Sequence, residues 1–212
     1  MAIALIDYGA GNLTSVKKAL AAIGADVFVP ASPDDLVAAR SIIVPGVGHF
    51  GATRALDDSW VEAVRGRVAA GCALLGICLG LQWLFEGSDE APGLRGLAAL
   101  PGRVFRLPST GGIKIPHVGW NSLSLVRGAP IAEGVADGTQ VYFTHSYVAP
   151  VTTDTVATTD HGQPFAAIVQ RGRIAGVQFH PEKSGETGLR ILRNFADQSF
   201  TTKDAKDTQH SI

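Results

Sequence analysis

The chain has 212 residues, 46% of them hydrophobic and 17% charged, a balance that excludes a disordered protein and suits one larger domain with a proper core. A net charge of -1 gives no electrostatic footprint for nucleic acid, and no apolar run approaches the roughly 20 residues that a membrane span needs. The N-terminus lacks a basic segment followed by a signal-peptide core, so a cytoplasmic protein is expected.

Ile3 to Asp7 reads as a first buried strand and Leu13 to Ala22 as a helix, joined by the glycine loop Tyr8-Gly9-Ala10-Gly11-Asn12. A G-x-G after a strand invites a dinucleotide reading, but Thr14 stands where a third glycine belongs, leaving a tight βα turn as the plainer account. Val27 to Val29 is a second strand, Asp34 to Ala39 a short helix, and Ile42 to Val44 a third strand running into Pro45-Gly46-Val47-Gly48. A helix with Trp60, Val61, Val64 and Val68 on one face follows, then the apolar strand Ala73 to Ile77 and a helix from Leu79 to Phe85 stopped by Gly87. Strands apolar on both faces, alternating with helices, predict an α/β fold: an open, largely parallel twisted sheet covered on both sides.

Between Gly102 and Val177 the pattern turns to short β-rich runs at Val104-Phe105, Val141 to Phe143, Thr155 to Thr159 and Phe165 to Val169, which predicts an antiparallel section added to that sheet. Ile174 to Phe179 is another buried strand, and Leu189, Leu192 and Phe195 recur at helical spacing. One domain over 1–198 and a frayed polar tail over 199–212 are expected.

The chemistry concentrates at Cys78. Gly76 and Gly80 flank it at the spacing of a strand-to-helix elbow, a turn so tight that its central residue is strained. A thiol in the first turn of a helix sits in the positive field of the macrodipole, which favours the nucleophilic thiolate. The bland alternative is a small buried hydrophobe. Cys72 and Cys78 lie at opposite ends of one strand, too far apart to pair easily, and neither a disulfide framework nor a metal site is in prospect.

A cysteine nucleophile needs a base and something to orient that base. Of six histidines, His49, His117, His145, His161 and His210 fall in loops, strand ends or the tail, while His180 ends a buried strand. Pro181 biases His180 toward extended geometry, and a strand-like continuation puts His180 and Glu182 on the same side of the backbone. The carboxylate would then accept the Nδ1 proton and leave Nε2 facing the thiol. The N–H of Leu79 and a second one from Val47 or Gly48 offer an oxyanion site, the glycines of that loop allowing a peptide to flip.

Gly76 to Gln82 together with Gly176 to Glu182 resembles the signature pair of class I, triad-type glutamine amidotransferases. That resemblance implies an open α/β sheet, a Cys78-His180-Glu182 triad, and release of ammonia from the side-chain amide of L-glutamine without a cofactor. Asp7 to Asn12, Lys114 to Asn121, Tyr142 to Tyr147 and Pro181 to Ser184 are similar to the branch of the family that serves histidine biosynthesis. Substrate contacts implied by the resemblance are Gly48, Gln82, Glu90, Ser146 and Tyr147. Trp83 departs from the pattern, in a place where a smaller apolar residue is expected.

Free ammonia becomes ammonium in water, so the product must reach a second active site, and this chain carries no phosphate-binding loop or barrel pattern for it. The resemblance implies a heterodimer with a cyclase subunit built as a (β/α)8 barrel. Asn12, Trp120, Asn121 and Lys183 are the candidates for that interface, a tryptophan in a glycine-rich loop being a plausible anchor. The rivals are a glutaminase serving another synthase, a stand-alone cysteine hydrolase, and a non-catalytic regulatory subunit of the barrel.

Overall fold

The computed structural model describes residues 2–109 and 112–197. In chain order the elements are β1 (Ile3–Leu5), α1 (Leu13–Ala22), β2 (Val27–Phe28), β3 (Ser41–Val44), α2 (Asp58–Ala69), β4 (Ala73–Ile77) and α3 (Leu79–Trp83). They are followed by β5 (Phe105–Arg106), β6 (His117–Ser122), β7 (Ser124–Leu125), β8 (Gln140–His145), β9 (Tyr147–Val148), β10 (Thr155–Asp160), β11 (Pro164–Arg171), β12 (Ile174–Val177) and α4 (Gly185–Asp197). The expected tail, 199–212, lies outside the described residues.

The main sheet has the order β2-β1-β3-β4-β12-β11-β10-β7. Its first five strands are parallel and the rest antiparallel, so the added section continues the same sheet. Two small antiparallel pairs, β5 with β9 and β6 with β8, stand beside it.

The apolar strands work on both faces. Ile3, Leu5, Ala73, Leu75 and Ile77 face one core, shared with Val16 and Leu20 of α1 and Ile191, Leu192 and Phe195 of α4. Ala4, Ile42, Val44 and Leu74 point the other way, toward Val64 of α2 and Leu36. The period of two along each strand sends alternate residues to opposite layers, which is why these strands carry almost no polar side chains. Asp57 accepts from the N–H groups of Ser59 and Trp60 and so starts α2.

Three expectations need correction. The helix after Cys78 ends at Trp83 instead of Phe85, because Leu97, Ala98 and Leu100 donate to the carbonyls of Trp83, Phe85 and Leu84 and draw the chain aside. The Asp34 to Ala39 helix is a 3₁₀ turn over Pro33–Ala38, started by a reciprocal Ser32 and Asp35 cap. Glu182 does not continue a strand: Pro181–Lys183 form a 3₁₀ turn. Proline at the first position of that turn loses no hydrogen bond, which makes the turn cheap. Trp83 is buried in the second core, where its bulk is fully used.

Candidate active site

Four neighbouring parallel strands, β1, β3, β4 and β12, end at one edge and deliver the loops 6–12 and 45–48, Cys78, and the segment 178–180 to the same place. Ligand crevices of open α/β sheets lie at such carboxyl edges. A cavity of about 330 Å³ opens there, lined by Val47, Gly48, Cys78, Leu79, Gln82, Glu90, Pro116, Thr144, His145, Ser146 and Tyr147. A larger open hollow of about 780 Å³ between Leu125 and Val135 is lined by none of the candidate site residues.

Cys78 stands at the elbow with φ 52° and ψ -105°, a left-handed backbone that a β-carbon disfavours. Its N–H donates to Val177 on β12, and its carbonyl accepts from Gln82, so both sides of the bend are anchored. The flanking glycines are sterically required. A β-carbon on Gly76 would come within 2.5 Å of the Gly80 carbonyl across the turn, and one on Gly80 within 1.8 Å of the Val44 carbonyl on β3. Both cysteines are free and buried.

His180 is held by its backbone: its N–H donates to Tyr142 on β8, and its carbonyl accepts from the Ser184 hydroxyl. Its Nδ1 lies 2.8 Å from Oε1 of Glu182, with both side chains buried. Nε2 is buried without a hydrogen-bond partner of good geometry, although Cys78 is its neighbour. Burial opposes the charged imidazole, but hydrogen bonding and charge from Cys78 and Glu182 outweigh it and raise the His180 pKa to about 10.

The remaining predicted residues fall in three groups. Gly48, Gln82, Glu90, Ser146 and Tyr147 all line the cavity. Gln82 is buried, its Nε2 donating to the Tyr147 carbonyl, and one Glu90 oxygen accepts from the Phe50 N–H at 2.6 Å. Two of the three candidate oxyanion donors are engaged elsewhere: Leu79 N–H donates to the Gly46 carbonyl at 3.3 Å and Val47 N–H to the Ala10 carbonyl at 2.8 Å, while Gly48 lines the cavity. In this conformation the Leu79 N–H is directed at the Gly46 carbonyl, which accepts its hydrogen bond.

Among the residues considered for a partner, Trp120 is 54% exposed, edge-on to Tyr142, and Lys183 carries its ammonium over the same Tyr142 ring. Asn12 and Asn121 are partly buried and turned inward, Asn12 donating to Glu182 and Asn121 to the Asp160 carbonyl and toward His117.

Two features escape the sequence reading. Gln178 is fully buried and its Nε2 lies 3.7 Å from the Cys78 sulfur, a donor to the nucleophile. Its signal was there, an amide inside an otherwise apolar strand end. The second is a cluster of three histidines. His117 is sandwiched between His161 at 4.1 Å and Phe143 at 4.8 Å, and its Nδ1 lies 3.2 Å from Nε2 of His145 on the cavity wall. Burial, then the neighbouring histidines, hold His117 and His145 neutral, His117 with a pKa of about 4 and His145 well below the usual range.

The comparisons with known proteins agree with this geometry. The family described as glutamine amidotransferase class-I matches residues 4–199. The imidazole glycerol phosphate synthase subunit HisH of Methanothermobacter thermautotrophicus is 47% identical over 196 residues, 92% of this chain and 98% of that protein. HisH of Gloeobacter violaceus is 48% identical over 210 residues, 96% of this chain and 92% of its own. Among solved structures, PurLQS from Thermotoga maritima superposes with a TM-score of 0.73 at 19% identity, covering 92% of this chain and 97% of the matched one. A crystal structure described as a glutamine amidotransferase gives 0.72 at 21% identity, covering 93% and 100%. At such identities these two speak for the fold alone. With an elbow cysteine beside a buried histidine-glutamate pair, and a match running nearly its whole length, this chain belongs to the class I glutamine amidotransferases.

Proposed function

We propose that the chain is the glutaminase subunit of an imidazole glycerol phosphate synthase, hydrolysing L-glutamine to L-glutamate and ammonia and handing the ammonia to a (β/α)8 barrel cyclase in a heterodimer. The observation that carries the chemistry is the buried row Glu182, His180, Cys78, whose last member lines a cavity sized for a small molecule. The HisH relatives, named as subunits of an imidazole glycerol phosphate synthase and nearly half identical over more than nine-tenths of the chain, support that reading. No helix among the described residues is long and apolar enough to cross a membrane, and a cytoplasmic location fits the pathway.

In this reading the Cys78 thiolate attacks the carboxamide carbon of glutamine, and the C=O electron pair moves onto oxygen. His180, charged by taking the thiol proton, gives it to the departing nitrogen, and ammonia leaves with the C–N bond. Glu182 on Nδ1 fixes the tautomer and orientation through both steps. His180 then draws a proton from water, whose oxygen displaces the sulfur from the γ-glutamyl thioester. Gly48, Gln82, Glu90, Ser146 and Tyr147 surround the substrate, Glu90 being the natural contact for its α-ammonium.

The oxyanion needs two donors that are now spent on carbonyls. Turning over the Gly46–Val47 peptide would remove the Gly46 carbonyl from Leu79 N–H and present Val47 N–H beside it. The chain alone should therefore be a slow glutaminase, faster with the cyclase and fastest with cyclase plus its phosphorylated substrate, measured as glutamate released. Equal rates in all three would favour a stand-alone hydrolase. Cys78→Ala should bind the cyclase and permit synthesis from added ammonia but not from glutamine; glutamine-dependent synthesis at the parent rate would leave a regulatory subunit.

A further inference from the structure

Asn12 occupies the N-cap of α1, where an asparagine carboxamide ordinarily accepts from the first-turn N–H groups, yet it makes no such bond. Its φ of 63° turns the side chain inward, and Nδ2 donates to Oε1 of Glu182, 170 residues further along the chain. The start of α1 packs on the Pro181–Lys183 turn that bears this glutamate. Oε1 is also the atom that takes His180 Nδ1, while Oε2 is buried without a partner. Only the NH₂ end of the amide can face a carboxylate, since its oxygen would repel it.

A buried carboxylate held by a single imidazole would be free to swing about its side-chain torsions. A second donor on the same oxygen removes that freedom. We propose that Asn12 is a positioning residue for the reaction: its carboxamide gives up capping α1 in order to hold the Glu182 carboxylate against His180, and thereby keeps Nε2 aimed at the Cys78 sulfur. This rests on the assignment of Cys78, His180 and Glu182 to glutamine cleavage and extends it by one member from the β1–α1 loop. The charged or titratable groups that influence His180 are Cys78, Glu182 and His145, so the effect of Asn12 passes through Glu182.

The test uses Asn12→Gly, which suits the left-handed backbone and deletes the donor, and Asn12→Asp, which keeps size and backbone tolerance but replaces the donor with an acceptor. In the complex with the cyclase, Asn12→Gly should lower kcat for glutamine by about 10- to 100-fold with KM within about twofold, the scale of a slightly misplaced catalytic group. Asn12→Asp should fall at least as far and recover partly toward acid pH, where the introduced carboxyl carries a proton to donate. In the isolated chain, iodoacetamide labelling of the Cys78 peptide, read by mass spectrometry, should slow in both variants while cyclase affinity holds; the melting temperature should fall in both, further in Asn12→Asp, which sets two carboxylates together. Parent-like kcat and labelling in both variants would overturn the inference. So would a loss of activity that follows weakened cyclase affinity with labelling unchanged, which would make Asn12 a docking contact. If the parent released no glutamate, the glutaminase reading would fail, while labelling would still test the Asn12 contact.

Discussion

Nδ1 of His180 reaches Oε1 of Glu182 at 2.8 Å because the chain turns between them. With only Pro181 intervening, the 3₁₀ turn folds the carboxylate back over the imidazole that precedes it. The pairing is thus built into a three-residue segment, and what the fold must add is Cys78 from just beyond β4, the strand next to β12.

Glu182→Gln keeps the size of the side chain but offers His180 an amide whose NH₂ end favours the wrong tautomer. We expect kcat for glutamine to fall by roughly 10³- to 10⁴-fold, as when the acid of a comparable triad becomes an amide. KM should change little. A loss below about tenfold would mean that His180 is oriented mainly by its backbone bonds to Tyr142 and Ser184.

The Cys78 backbone supplies a second expectation. A non-glycine residue at φ 52° costs on the order of 1–3 kcal/mol, sustained here because β12 and α3 clamp both sides of the bend. Cys78→Gly should therefore be more stable than Cys78→Ala by about 1 kcal/mol in urea denaturation, though both are inactive. Equal stabilities would show that the elbow is unstrained.

Much of this fold is legible in the sequence, for a physical reason. Ile3 to Leu5 and Ala73 to Ile77 are buried on both faces, so their apolar runs have no alternative reading. His117 to Ser122 escaped notice because β6 buries only some of its side chains, leaving Val118 and Trp120 outward among polar neighbours. The grouping of Cys78 and His180 could be inferred because each follows a recognisable strand, and Glu182 because it lies two residues beyond His180. Their exact contacts could not: the inward turn of Asn12 depends on a left-handed backbone 170 residues from its partner, and the engagement of Leu79 N–H on a loop conformation that Gly46 leaves open.

The buried imidazoles of His117 and His145 predict how stability responds to acid. The folded-state pKa of His117 is about 4 and that of His145 is also depressed, against 6.5 for the free side chain. Between pH 6.5 and 4 the unfolded chain binds protons that these two folded sites refuse, so stability falls as pH falls through that window, by up to about 1.4 kcal/mol per pH unit for each group. His180 acts oppositely. Its raised pKa contributes stability that is complete below 6.5 and is lost as pH rises toward 10. His117→Phe, which keeps a ring between Phe143 and His161, should lower neutral stability but flatten the acid slope of the urea midpoint. An unchanged slope would mean that His117 does not stay neutral.

Trp120 leads to the last expectation, at the proposed docking surface. Its ring is 54% exposed on β6, Val118 beside it is 58% exposed, and Tyr142 and Lys183 extend the patch across β8 toward the His180 turn. An exposed tryptophan gains little within its own fold, so Trp120→Ala should leave the melting temperature within a few degrees. Buried at the centre of an interface, such a residue contributes roughly 2–4 kcal/mol. Affinity for the cyclase should therefore weaken about 30-fold or more by titration calorimetry, with Cys78 labelling in the isolated chain unaltered. Lys183→Ala should cost less, since a partly solvated cation at the edge of an interface acts mainly on association rate and salt dependence. Should Trp120→Ala bind as the parent does, the β6–β8 face would not be where the barrel docks.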